Sequence, residues 1–115
     1  MKNITAVILT FNTPENIIFD CLNSIDKNIK IIIVENSKTF LHKEKVLSKF
    51  NNVNIMCTGE NLGYGKGNNF GMKSVKTDYV LILNPDVVCA ESFFKNIESV
   101  VNAVSYTHLT LPTIS

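Results

Sequence analysis

Along this chain, short apolar runs alternate with stretches in which apolar residues recur every three or four positions. The runs cover residues 4–10 (Ile-Thr-Ala-Val-Ile-Leu-Thr), 29–34, 53–58 and 79–83. Their length and their content of β-branched and aromatic residues predict strands. Residues 31–34 and 79–83 are apolar at every position, the pattern of strands buried on both faces of a parallel sheet. Between the runs the spacing predicts helices. Ile17, Ile18, Cys21, Leu22 and Ile25 make one stripe. Before it, Thr13 offers an N-cap oxygen, Pro14 suits the first helical position and Glu15 the positive first turn. On that reading Thr13→Ala costs ~1 kcal/mol through the lost cap. A second helix is predicted over 39–50 from Leu41, Val46, Leu47 and Phe50, and a third from about Lys66 through Val75. A fourth, from about Glu91, buries Phe93, Phe94, Ile97, Val100 and Val101.

Strict alternation of strand and helix implies an α/β fold, a parallel sheet with helices on both faces. Right-handed crossovers leave few topologies. If strands one to three grow in one direction and the fourth returns beside the first, the strand order is 3-2-1-4. The switch point then falls between strands one and four. The loops carrying Asn12, Glu35, the glycine-rich stretch at 59–71 and Asp86 gather around that crevice, where open α/β sheets bind ligands.

At 115 residues the chain holds one domain and one core. A net charge of +1 gives no bulk attraction for nucleic acid or an anionic membrane, so partners are recognised locally. Cys21, Cys57 and Cys89 are odd in number and unpaired in spacing, which suggests neither a disulfide framework nor a zinc site and fits a reducing cytoplasm. The N-terminal apolar run is too short for a signal-peptide core, and no segment approaches a membrane span. Peripheral association with a membrane surface and an anchor further downstream are the membrane roles left open.

Two stretches carry candidate chemistry. All five glycines lie within residues 59–71, between a predicted strand and helix. Such a loop lets backbone N–H groups meet phosphate oxygens at a helix N-terminus, and Lys66 adds a charge. It is not a P-loop, because Gly67 follows Lys66 where Ser or Thr is required. Its place after the third strand also makes it a poor dinucleotide fingerprint. A diphosphate is a reasonable ligand class for it. The second stretch is Asn84-Pro85-Asp86. All three residue types favour turns, and Pro85 ends the fourth strand. Asp86 delivers a carboxylate beside the phosphate site, and magnesium or manganese is commonly held by one or two carboxylates plus substrate phosphates.

Four pieces, in order and spacing, resemble the N-terminal half of the family 2 glycosyltransferases, which have the GT-A nucleotide-sugar-binding fold. They are Val-Ile-Leu-Thr-Phe-Asn at 7–12, Ile-Val-Glu-Asn-Ser at 33–37, Asn-Leu-Gly-Tyr-Gly-Lys-Gly-Asn-Asn-Phe-Gly at 61–71 and Leu-Ile-Leu-Asn-Pro-Asp at 81–86. The Asn-Pro-Asp variant is similar to the branch containing rhamnosyl and related cell-surface polysaccharide transferases. The resemblance implies an inverting, metal-dependent enzyme that takes a nucleotide-diphosphate sugar donor and a glycan or lipid-linked acceptor. It also implies roles: Thr10, Phe11 and Asn12 line base and ribose, Glu35 contacts a pyrimidine, and Asn61, Gly63, Gly65, Lys66 and Asn69 flank the diphosphate. Asp86 is then the carboxylate for Mg or Mn in a DxD-type motif, with Asn84 in its first acidic position. Glu35 stands where the family usually has Asp, and Asn84 brings no charge. The family's catalytic base lies in a later half that no residue here matches. The alternatives are a sugar-nucleotide nucleotidyltransferase, whose glycine signature belongs directly after the first strand, and a non-catalytic nucleotide-binding fragment.

Residues 104–115 break the pattern, with no charge and seven Ser, Thr, Tyr or His among twelve. Residues 104–113 are similar to the translated transposase mosaic-end adapter of sequencing libraries. That resemblance implies a native domain over 1–103 and a tail without function, His108 included.

Overall fold

The computed structural model describes residues 3–103. Eight elements follow one another: β1 Ile4–Thr10, α1 Glu15–Asn23, β2 Lys30–Glu35, α2 Lys43–Lys49, β3 Val53–Cys57, α3 Tyr64–Met72, β4 Tyr79–Leu83 and α4 Phe93–Ala103. All strand pairs are parallel, and the order is β3-β2-β1-β4, as the alternation predicts.

Side-chain alternation divides the core between the two faces of the sheet. Ile4, Ala6, Ile8, Ile31, Ile33, Leu81 and Leu83 meet Ile18, Cys21 and Leu22 of α1, Val46 of α2 and Phe94 of α4. On the opposite face Val7, Ile32, Val34, Val80 and Ile82 meet Phe70 and Met72 of α3, together with Leu9 and Val75. Helix α3 lies tight on the sheet because two of its residues lack side chains. A Cβ on Gly71 would collide with the Val34 Cγ2 methyl, and one on Gly67 would come within 2.7 Å of Leu9 Cδ1 and 3.1 Å of Asn36 Nδ2.

Several boundaries differ from those the pattern predicts. Helix α1 starts at Glu15, with Pro14 at its N-cap and no side-chain cap. The Thr13 hydroxyl accepts instead from the Phe11 N–H, 3.2 Å away, so it closes the turn after β1 and does not cap the helix. Strand β2 runs one residue further than expected, which makes Glu35 a strand residue. Helix α2 spans seven residues, and half of the predicted stripe holds: Val46 is buried and Phe50 packs against the core, whereas Leu41 precedes the helix, 80% exposed, Leu47 is 42% exposed, and Phe40 is buried instead. Strand β3 ends at Cys57. Helix α3 begins at Tyr64, two residues before the predicted start, and stops at Met72, three short of the predicted end, so Gly65 is helical together with the predicted Lys66 and Gly67. Helix α4 starts at Phe93 behind a turn closed by its N–H on the Ala90 carbonyl, 3.0 Å. The side chains of Val100 and Val101, and the whole of residues 104–115, lie outside the described residues. Among the described residues no helix is long and apolar enough to cross a membrane.

Candidate functional site

The sheet register builds the site's first corner. Thr10 and Glu35 are partners on the last rung between β1 and β2, so their side chains share a face. The Thr10 hydroxyl donates to Glu35 Oε1 at 2.7 Å. Glu35 Oε2 accepts from the Asn12 N–H at 3.2 Å and the Ser37 hydroxyl at 2.6 Å. Asn12 reaches this position with φ +50°, a left-handed conformation that asparagine tolerates better than most residues. Glu35 is only 1% exposed, and its charge is met by three donors on the loops after β1 and β2. Because a carboxylate offers about four acceptor sites, one remains free. Glu35 faces a cavity of about 270 Å³ that Asn12, Thr13, Thr39, Leu41 and His42 also line. His42 bridges the two loops, with Nε2 3.1 Å from the Thr13 carbonyl. Phe11 stands at the end of β1, 53% exposed.

Alternation turns the next residue the other way. Asn36 is 3% exposed, and both ends of its amide are used. Its Nδ2 donates to Asn61 Oδ1 and the Gly63 carbonyl, each at 3.1 Å. Its Oδ1 accepts from the Thr58 hydroxyl and the Leu62 N–H, each at 3.0 Å. Asn61 Oδ1 also accepts from the Gly63 N–H at 2.9 Å, closing an Asx turn before α3. Gly63, with φ +83°, is the N-cap residue of α3 and provides no side-chain cap. The N–H groups of the first helical turn therefore have no intrahelical partner. A Cβ on Gly65 would meet nothing within 4 Å, so this glycine is not required by packing.

At the end of β4 the Val87 N–H bonds the Asn84 carbonyl at 3.1 Å, which makes Asn84–Val87 a tight turn with Pro85 at its second position. Asp86 lies exposed on this turn. The far end is tied to α1, where the Cys89 N–H donates to Ser24 Oγ at 2.9 Å and Ser24 Oγ donates to the Cys21 carbonyl at 2.7 Å. Burial, with Cys89 and Asp86 nearby, pushes the Cys21 thiol up to about 12, so it stays protonated and inert.

The structure thus joins Thr10, Asn12 and Glu35 directly and holds Asn61 and Gly63 through Asn36. Phe11, Asn84 and Asp86 follow strand ends at the same carboxyl edge, Gly65 and Lys66 lie in the first turn of α3, and Asn69 is exposed further along that helix. Two larger hollows, of about 410 and 430 Å³, lie elsewhere, against Leu22, Lys27 and Phe50 and against Ser24, Glu91 and Glu98. No predicted site residue lines either. Asn36, Ser37 and His42 were not among the predicted site residues. Nor was Asn68, which is 3% exposed with both amide atoms lacking any partner, whereas the predicted Asn69 is exposed.

Comparison with known proteins agrees with the fold and shows the family. The family model described as Glycosyl transferase family 2 matches residues 5–105. Among curated protein sequences none matches significantly. Of solved structures, S. aureus TarS residues 1–349 superimposes with a TM-score of 0.73 at 22% identity, over 90% of this chain and 33% of that one. The same TarS segment in complex with UDP gives 0.73 at 23% identity, over 90% and 32%. A further TarS structure gives 0.71 at 23% identity, over 90% and 20%. The chain therefore spans a third or less of the length of these relatives, and the likeness is one of fold.

Proposed function

We propose, from the premise that this chain belongs to glycosyl transferase family 2, that its carboxyl edge is the donor side of a nucleotide-sugar-dependent glycosyltransferase. The observation that carries this reading is the buried Glu35 carboxylate, held by three donors with one acceptor site left over and turned to a cavity between the loops that follow β1 and β2. A single remaining acceptor suits a single base N–H, as a pyrimidine imide presents. Thr10 and Asn12 hold that carboxylate in place, and Phe11 offers an exposed ring for the base or ribose. The diphosphate lies at the start of α3, where the free N–H groups of the first turn point, the open side of Gly65 permits close approach and Lys66 supplies charge.

For a divalent ion the donor set at Asp86 is one exposed carboxylate, and no cluster of three metal-ligating side chains exists among the described residues. This fits a hard cation shared with the donor's phosphates and does not fit one caged by protein alone. Asp86 would hold Mg or Mn, with Asn84 beside it, and when bound the ion neutralises charge developing on the diphosphate leaving group. The chain's own residues fix the base at Glu35, orient the diphosphate at α3 and leave the sugar's anomeric carbon facing outward from the edge. An inverting transfer needs a carboxylate base for the acceptor hydroxyl. Glu91 is exposed and precedes α4, and we assign that role to no residue of this chain. A glycan or lipid-linked acceptor, presented at the cytoplasmic face of a membrane, completes the proposal. The test is calorimetric: UDP binds in the presence of Mg or Mn, and binding is lost on chelation and in Asp86→Ala. Binding of equal strength with and without metal overturns the metal assignment, and no binding in either condition overturns the donor site.

A further inference from the structure

We infer that Asn36 is a positioning residue that fixes the diphosphate end of the site from below, without touching the donor. The inference rests on the reading that the start of α3 takes the diphosphate. Asn36 uses both of its Nδ2 donors, and its Oδ1 accepts from the Leu62 N–H and stands 3.0 Å from the Thr58 hydroxyl, whose single proton it shares with the Glu60 carbonyl at 2.6 Å. All four partners, Thr58, Asn61, Leu62 and Gly63, lie on the segment between β3 and α3. The Gly63 carbonyl receives both Asn36 Nδ2, at 3.1 Å, and the first helical N–H, that of Gly67, at 3.0 Å. The amide therefore sets where the helix begins and which way its free N–H groups face. It is also walled in, since even a Cβ on Gly67 would sit 3.1 Å from Nδ2. Glu35, the adjacent residue, holds the loops after β1 and β2 from the opposite face of the sheet. One strand end thus carries two independent latches, one for the base corner and one for the diphosphate corner.

Because the latches are separate, a substitution at Asn36 has a signature that general loosening lacks. Asn36→Asp keeps size and shape and can still accept from Thr58 and Leu62, but it sets a carboxylate oxygen against Asn61 Oδ1 and the Gly63 carbonyl. NMR titrations of the full chain with uridine and with UDP, in magnesium buffer, separate the two corners. The expected result is that Asn36→Asp weakens UDP about tenfold and leaves uridine within about twofold of wild type. Thr58→Val removes the hydroxyl that Asn36 Oδ1 shares with the Glu60 carbonyl and gives the same split at about two- to fivefold, which keeps the test available if Asn36→Asp does not fold. Parallel losses for uridine and UDP in the variants overturn the positioning role, as does an unchanged UDP affinity. If wild-type protein binds UDP no more tightly than uridine, the diphosphate reading itself fails, a result distinguishable because it appears before any variant is made.

Discussion

Gly65 and Gly71 sit six residues apart on one nine-residue helix, yet alanine at the two positions has opposite consequences. At Gly71 the new methyl runs into Val34 Cγ2 and lies 3.0 Å from Val7 Cγ1. Both valines are buried and belong to the central strands, and β-branched side chains are stiff at χ1, so neither can swing aside. Overpacking of this kind costs about 1–3 kcal/mol, against a helix-propensity gain for alanine of about 1 kcal/mol. Gly71→Ala is therefore expected to destabilise the fold by about 1–2 kcal/mol. At Gly65 the methyl meets nothing within 4 Å, so only the propensity gain remains, and the fold gains about 0.5–1 kcal/mol. The same open space is where the diphosphate is placed, so Gly65→Ala is expected to weaken UDP binding while it stabilises the protein. Urea unfolding midpoints at unchanged m-value read the first effect, and calorimetry the second. Gly65→Ala that is stabilised and binds UDP like wild type refutes the placement of the diphosphate. Gly71→Ala that is as stable as wild type refutes the packing argument.

Glu35→Gln removes the charge that three donors meet and confronts at least one of them with an NH2 group, so it should cost about 1–3 kcal/mol by chemical denaturation and abolish nucleoside binding. Ser24→Ala deprives the Cys89 N–H of its acceptor, costs about 1 kcal/mol, and weakens metal-dependent UDP binding by loosening the segment after Asp86. The folded-state pKa of Cys21 is raised to about 12, so only the unfolded chain ionises near pH 9 and stability falls as pH rises above it. This contributes roughly 1 kcal/mol of loss between pH 9 and 10, and Cys21→Ala should flatten that part of the stability profile by the same amount. Thr13→Ala should leave the helical circular dichroism of α1 unchanged, since its hydroxyl serves Phe11 and not the helix.

The strand order was legible because the strands are short runs rich in apolar and β-branched residues, two of them apolar at nearly every position, with helical stretches between them. The pairing of Thr10 with Glu35 follows from that order once the register is known. What the pattern could not show is direction. Glu35 and Asn36 read as consecutive turn residues, but the strand extends through Glu35, and alternation sends the two side chains to opposite faces. A cluster of glycines reads as one feature, whereas Gly67 and Gly71 serve the packing of α3 on the sheet, Gly59 takes a left-handed turn after β3, and Gly63 and Gly65 remain at the start of α3 for a ligand. Leu41 looked like part of a helical stripe because periodicity does not register that the chain turns before α2. Asn68 and Asn69 are indistinguishable by type, and only the rotation of α3 buries the first and exposes the second. Asp86 read the same way in both, since Pro85 already ends the strand and sets the carboxylate on the turn that follows.

The central claim is that loops from three strand ends and the start of α3 form one donor site. A backbone amide NMR titration of the full chain with UDP and magnesium tests it most directly. Phe11, Asn12, Glu35, residues 63–66 and Asp86 are expected to shift together along one binding curve. Shifts confined to a single loop, or centred on the hollow between Leu22 and Phe50, contradict it.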